Sequence, residues 1–279
     1  MKINTAKSAG FCFGVRRAID IAYKTLGGNR KVYMLGNIVH NEDVAKKLEE
    51  AGIKKTDKLT RGKDRTFLIR AHGVSLDITG RAGRLGYKIV DATCPMVKEI
   101  HRIARKAESE GYSVIIIGDK RHTEVQGIIG QLQNRATVIA DIRHIRKAGI
   151  KKIKKACVVV QSTQNIEKVL LIIEALRPLV EELKFFNTIC IPTRTKQEEI
   201  KKMPLKNDVM IIIGSKTSAN TRRLYEISKS LNDRSYWVQT AKDLRLEWFK
   251  GAETVGITAG ASTPEETTKE ITASIKKMA

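Results

Sequence analysis

Three cysteines recur in this 279-residue chain at one offset from a glycine: Gly36, Gly118 and Gly214 stand 24 positions after Cys12, Cys94 and Cys190. Four positions past each glycine comes His40, His122 or Ser218, and two further on comes Glu42, Glu124 or Asn220. Thiolates are soft ligands that select zinc or iron–sulfur clusters, and a helix N-terminus favours the thiolate. A lone cysteine is most often a small buried apolar residue. Three in one repeated context read as a ligand set, whereas Cys157, inside the apolar run ACVVVQ, reads as core. A structural zinc or a fully ligated cluster takes four protein ligands, and an open position permits catalysis. Three ligands without a fourth imply a cluster with one iron open to substrate.

The remaining polar residues suit an anionic ligand at that iron. His40, His72, Ser218, Asn220 and Ser262 form a donor-rich set, backed by helix N-termini that favour phosphate oxygens. No P-loop pattern is present. Glu124 reads as a proton donor if its pKa is raised enough to hold a proton, and otherwise as a carboxylate favoured by a helix dipole. His101 and His144 lie in basic contexts and read as surface residues.

Each glycine closes an apolar run, KVYMLG, VIIIG or VMIIIG. The polar turns therefore sit at the carboxyl ends of equivalent strands, where open parallel sheets bind ligands. The repeat is about 80 to 100 residues long, the size of a small domain. It divides the chain into three α/β units over residues 1–93, 94–189 and 190–279, with one cysteine each. Such units are small for separate stability, so they are expected to pack around a pseudo-threefold axis on which the cysteines converge. The fold class is α/β, with small parallel sheets covered on both faces. Expected strands are KINTA near the N-terminus, 31–35, 67–69, 87–90, 114–117, 138–139, 156–160, 184–188, 209–213, 236–238 and 255–257. Expected helices include 14–25, stopped by Gly27–Gly28–Asn29, then 42–51, 95–110 opened by Pro95, 166–183, and one ending at Leu231. A connection between residues 51 and 67 reads as basic loop, Gly118 to Gln126 as a turn, and Thr263–Pro264–Glu265–Glu266 as a capping box. A second set of strand-end turns carries His72, Ser162 or Thr163, and Ser262.

The net charge of +22 admits nucleic acid, an anionic membrane surface or an acidic partner. The densest run, Arg143 to Lys155, reads as solvated surface. Aromatic residues are only 5%, so no basic–aromatic alternation is available to grip single strands. No segment approaches the length of a membrane helix or a signal-peptide core. The expected setting is cytoplasmic, with thiols or metal ligands instead of disulfides.

Five segments carry a resemblance: Gly10 to Val15 (GFCFGV), Arg70 to Val74 (RAHGV), Asp91 to Pro95 (DATCP), His122 to Gly127 (HTEVQG) and Thr258 to Ser262 (TAGAS). In this order, spanning nearly the whole chain, they resemble the 4-hydroxy-3-methylbut-2-enyl diphosphate reductases, which end the methylerythritol phosphate route to isoprenoids. The resemblance implies a trefoil of three α/β domains around one 4Fe–4S cluster on Cys12, Cys94 and Cys190. It implies that the open iron takes the substrate's hydroxymethyl oxygen and that His40, His72, Ser218, Asn220 and Ser262 hold the diphosphate. His122 and Glu124 then serve proton delivery. Two electrons and two protons remove the hydroxyl as water, and protonation of the resulting allyl species gives isopentenyl or dimethylallyl diphosphate. Two departures stand out. Gln161–Ser162–Thr163 replaces the family's frequent Gln-Thr-Thr, so Ser162 supplies the assisting hydroxyl beside Thr163. Ala219 stands in the substrate-binding set where a second serine often occurs.

Other readings remain for the same residues. A basic nucleic-acid-binding protein with a structural metal would need a fourth ligand and show steeply salt-dependent binding. A zinc hydrolase would hold its metal on three cysteines and water. Within the redox reading, the basic surface suits docking of an acidic electron carrier such as ferredoxin or flavodoxin, with no nucleic-acid or membrane partner and a monomer or homodimer.

Overall fold

The computed structural model describes residues 1–28, 31–145, 150 and 153–278. Asn29 of the first helix stop, and positions 146–149, 151 and 152 of the basic run, lie outside the described residues. In chain order the elements are β1 (Lys2–Thr5), α1 (Phe13–Leu26), β2 (Lys31–Leu35), α2 (Glu42–Glu50), β3 (Lys54–Thr56), β4 (Arg65–Ile69), α3 (Leu76–Arg84) and β5 (Lys88–Asp91). They continue with α4 (Pro95–Ser109), β6 (Ser113–Ile117), α5 (Thr123–Ile129), β7 (Thr137–Ile139), β8 (Lys155–Val160), α6 (Ile166–Leu176) and β9 (Glu182–Phe185). The last are α7 (Ile191–Lys202), β10 (Val209–Ile213), α8 (Ala219–Leu231), β11 (Ser235–Val238), β12 (Thr254–Ala259) and α9 (Glu265–Lys277).

The strands form three four-stranded sheets, ordered β3-β2-β4-β5, β7-β6-β8-β9 and β11-β10-β12-β1. Every pairing is parallel. Residues 1–16, 39–45 and 191–279 form one compact unit, which contains the sheet of β10, β11, β12 and β1. Residues 17–38 and 46–190 form another, which contains the other two sheets.

The runs of β-branched residues explain the double-sided burial. Along β6, Ile115 and Ile117 join a core with α6 through Val169, Ile172, Ile173 and Leu176. Val114 and Ile116 pack on the opposite face with Ile100 and Ala104 of α4 and Ile128 of α5. That is the period-2 alternation of a strand apolar on both faces. In the other unit, Val209, Ile211 and Ile213 of β10 face Ile271 and Ile275 of α9. Met210 and Ile212 face Ile200 of α7 and Leu224 of α8. Glycine closes the central strands because the following helix comes close. A Cβ on Gly118 would lie 2.8 Å from Val125 Cγ2 of α5, and one on Gly214 would lie 2.6 Å from Thr221 Oγ1 of α8.

Several expectations are corrected. The N-terminal strand β1 pairs with β12, in register Lys2 with Thr254 through Thr5 with Ile257. Residues 54–56 of the basic connection form edge strand β3 beside β2. Helix α6 stops at Leu176 instead of Leu183, because Pro178 lacks an N–H and its ring opposes the preceding turn. Helix α5 already begins at Thr123 inside the expected turn. The capping box at Thr263 does not form: Pro264 is the N-cap of α9, and the Thr263 hydroxyl donates instead to Ile213 O at 3.1 Å. As expected of a core residue, Cys157 is fully buried on the face of β8 toward α4, and burial pushes its thiol up to about 11.

Candidate active site

The three repeated cysteines share one backbone environment. Each donates its amide N–H to a carbonyl two residues beyond the end of a strand: Cys12 to Ala261 at 3.0 Å, Cys94 to Ala71 at 2.9 Å, and Cys190 to Ser162 at 3.1 Å. Each immediately precedes a helix, α1, α4 or α7, and Pro95 and Pro192 occupy first-turn positions whose N–H has no helical partner. None of the three is in a disulfide, and all three are half-buried. Ala71, Ser162 and Ala261 are therefore structural equivalents, and the residues that follow them, His72, Thr163 and Ser262, form the second equivalent set. This register assigns Thr163, not Ser162, to the position shared with His72 and Ser262.

In the unit of residues 17–38 and 46–190, Glu124 is 1% exposed on the first turn of α5. Its Oε1 accepts the Ser162 N–H at 2.6 Å and its Oε2 accepts the Ser162 hydroxyl at 2.7 Å. Burial holds its carboxyl above the ordinary carboxylate range, partly opposed by those two hydrogen bonds. Glu124 therefore lies on the first turn of a helix and carries a carboxyl whose pKa burial raises. His122 is the N-cap of α5, accepting the Glu124 N–H at Nδ1 over 3.2 Å, which places the proton of the neutral ring on Nε2. The His72 and His122 rings meet edge to face, with centroids 5.6 Å apart. Gln161 donates to Thr163 Oγ1 at 3.0 Å and accepts from the Asp119 N–H at 2.9 Å, tying the two strand-end turns together.

His101 is not a surface residue. It is 6% exposed on α4, two turns beyond Cys94, and its Nε2 is buried without a partner among the described residues. A Cβ on Gly73 would lie 2.8 Å from its Cε1, so the ring packs directly on the His72–Gly73 turn. Burial first, then Arg105 and Lys98, push its pKa down to about 4 against the pull of Asp91, leaving it neutral near pH 7. His144 is exposed, as expected.

The other unit, residues 1–16, 39–45 and 191–279, gathers His40, Ser218, Ala219, Asn220 and Ser262. The Ser262 hydroxyl donates to the His40 carbonyl at 2.9 Å. Ser218 caps α8 by accepting the Thr221 N–H at 3.3 Å, and Ala219 is the first helical residue. Asn220 is 4% exposed, yet neither its Oδ1 nor its Nδ2 has a hydrogen-bond partner. A buried amide with both groups unpaired costs several kcal/mol unless a ligand or water completes it. Glu42, the repeat counterpart of Glu124, has a different task. It accepts from the Ser215 hydroxyl at 3.0 Å, the Thr217 hydroxyl at 2.9 Å and Gln239 Nε2 at 3.4 Å, and so braces the turn that leads to Ser218.

Sequence reasoning also missed Lys196 of α7, a buried lysine whose ammonium donates to the Ser8 and Ala259 carbonyls. Among the described residues, no group of three His, Cys, Asp or Glu side chains could hold a metal ion. The soft, half-buried thiols and their matched helix-terminal settings fit iron–sulfur ligation chemically, and the bare Asn220 amide fits an oxygen-rich ligand. Among the described residues, no helix is long and apolar enough to cross a membrane.

Parallel sheets with thiols, a buried carboxyl and an unpartnered amide at their strand ends define an α/β enzyme. A profile of the LytB protein matches residues 3–276, and the chain belongs to that family. It is 39% identical over 279 residues to the 4-hydroxy-3-methylbut-2-enyl diphosphate reductase of Geotalea daltonii, covering 100% of this chain and 98% of that protein. It is 39% identical over 277 residues to the reductase of the same name from Aquifex aeolicus, covering 98% and 95%. Among solved structures, an (E)-4-hydroxy-3-methyl-but-2-enyl diphosphate reductase, described as the terminal enzyme of the non-mevalonate pathway, is similar with TM-score 0.73 at 39% identity, covering 99% of this chain and 100% of that one. The E-1-hydroxy-2-methyl-but-2-enyl-4-diphosphate reductase from Plasmodium falciparum gives TM-score 0.91 at 28% identity, covering 98% and 87%.

Proposed function

We propose that this chain is an oxidoreductase that removes the hydroxyl group of (E)-4-hydroxy-3-methylbut-2-enyl diphosphate, giving isopentenyl and dimethylallyl diphosphate. The C–O bond breaks and a C–H bond forms; two electrons and two protons enter, and water leaves. The reading rests on family membership, and the observation that carries the chemistry is Glu124, a buried carboxyl held by Ser162.

Cys12, Cys94 and Cys190 would hold a 4Fe–4S cluster, as the common core of three α/β domains in a trefoil. When bound, that group supplies the electrons and an iron without a protein ligand. Glu124, kept protonatable by burial, holds the proton that leaves with the hydroxyl. Ser162 orients it through both oxygens and, through its own carbonyl, fixes the Cys190 backbone. His122, whose Nδ1 accepts the Glu124 amide, and Thr163, whose hydroxyl accepts from Gln161, assist that proton delivery. His40, His72, Ser218, Asn220 and Ser262 bind the diphosphate, with the Asn220 amide completed by its oxygens. Ala219 contributes no donor from its side chain. Electrons come from an acidic carrier such as ferredoxin or flavodoxin steered by the net charge of +22, in a cytoplasmic setting.

The test is iron, sulfide and zinc content with an absorption spectrum, on anaerobically purified protein and on Cys12→Ser, followed by a reductase assay on the diphosphate. About four irons and four sulfides per chain, lost in the variant, support the reading. One zinc without sulfide overturns it. A reduction rate that does not fall as salt rises removes the acidic carrier.

A further inference from the structure

The helix that follows Cys190 carries a charge that the reductase chemistry leaves unused. Lys196 is 2% exposed, and burying an ammonium is costly unless its donors are satisfied. Among the described residues it has no salt bridge to a carboxylate. Its Nζ donates to the Ser8 carbonyl and, at 3.0 Å, to the Ala259 carbonyl at the end of β12. Glu199, three residues along α7, takes the opposite polarity from the same turn. It accepts the Lys7 N–H at 3.1 Å, the Ser8 N–H at 3.0 Å and the Ser8 hydroxyl. One face of α7 thus grips residues 7–8 by donors and acceptors together.

That turn leads directly to Gly10–Phe11–Cys12. Cys12 donates its amide to Ala261 O, two residues beyond the carbonyl that Lys196 uses. The ammonium and the thiol-bearing residue therefore hang from carbonyls two residues apart where β12 runs into its terminal turn. Burial pulls the ammonium down to about 8, while Cys12 and then Glu199 attract it and favour its charged form. An ammonium has three donors, and the two carbonyls it meets carry no formal charge to neutralise it.

We propose that Lys196 is a positioning residue for the iron–sulfur centre, a fixed cation that sets the Cys12 loop and offsets the negative charge of the thiolate-held cluster. Cluster potentials respond to nearby charge and to hydrogen bonding, so a cation on the Cys12 side eases electron entry. This rests on the cluster reading above.

The experiment compares anaerobically reconstituted parent, Lys196→Met, Lys196→Arg and Glu199→Gln by iron content and by redox titration of the cluster. Lys196→Met is expected to shift the midpoint potential to more negative values, and Lys196→Arg to restore most of the shift. Glu199→Gln, which loosens the turn and keeps the cation, is expected to leave the potential near that of the parent while speeding proteolysis of the apo chain at Lys7. Lys196→Met with full iron and an unshifted potential overturns the proposal, as does an equal shift in Glu199→Gln. Should Lys196→Met fail to fold, Lys196→Gln keeps a donor without the charge and carries the same test. A parent that holds zinc without sulfide sinks the cluster reading itself, whereas a parent with a full cluster and an unshifted variant sinks only the role of Lys196.

Discussion

Both carboxylate oxygens of Glu124 are engaged by a single residue, Ser162, through its amide at 2.6 Å and its hydroxyl at 2.7 Å. Glutamine reproduces this arrangement, with Oε1 accepting the amide and Nε2 donating to a rotated hydroxyl, but it delivers no proton. Glu124→Gln is therefore expected to keep iron and substrate binding and to lose turnover by about 100-fold or more. Single-turnover reduction with dithionite checks this, and near-normal turnover removes Glu124 from the chemistry.

Removing only the hydroxyl separates orientation from acidity. The Ser162 hydroxyl opposes the upward push of burial on Glu124. In Ser162→Ala the carboxyl holds its proton to higher pH, so the alkaline limb of the kcat profile moves upward. A limb that stays in place or moves down contradicts this.

Glu124 also makes stability depend on pH. Its folded pKa is raised, so the folded state binds the proton more tightly than the unfolded chain. Its contribution is full below the ordinary carboxyl value of 4.5 and is lost as pH rises through the raised value. The apo form of Glu124→Gln should gain thermal stability over the parent across that window and hold a constant margin above it. Parallel melting curves at all pH values would refute the assignment.

His101 works in the opposite sense. Its pKa falls from 6.5 to about 4 on folding, so its stabilising effect is full above 6.5 and lost as pH falls to about 4. The whole effect is on the order of 3 kcal/mol. His101→Gln should flatten the acid limb of apo stability between those values. An unchanged limb in urea titrations would mean that the buried ring does not control it.

The Asn220 amide is buried with neither polar atom hydrogen-bonded among the described residues. Hydrogen bonds to charged groups contribute about 1.5–3 kcal/mol each, so Asn220→Ala should raise KM by about 10- to 100-fold with iron unchanged. Inorganic diphosphate should protect the parent thermally and protect the variant much less. Equal protection would place the diphosphate elsewhere.

The central strands were legible because apolar runs ended at glycine: β2 and β10 fall on their expected residues. Edge strand β3, Lys-Lys-Thr, has no apolar pattern because it packs little. The cysteine and polar-turn positions followed from spacing, but their hydrogen-bond register did not, so Ser162 and Thr163 could not be separated. His101 had a signal that was outweighed by its basic neighbours, since Val97, Ile100, His101 and Ala104 fall on one helical face. Lys196 had none, because a lysine amid Thr, Gln and Glu reads as solvent-facing. Its burial comes from a turn 188 residues away in the chain.

The pairing of β1 with β12 gives the molecule an order of completion. Cys12 takes its place only after β12 has been made, because its amide waits for the Ala261 carbonyl and its leading strand waits for residues 254–257. A nascent or truncated chain can fold the sheets that carry Cys94 and Cys190 and still lack a seated Cys12. Seating of Cys12 is thereby timed to the making of residues 254–261.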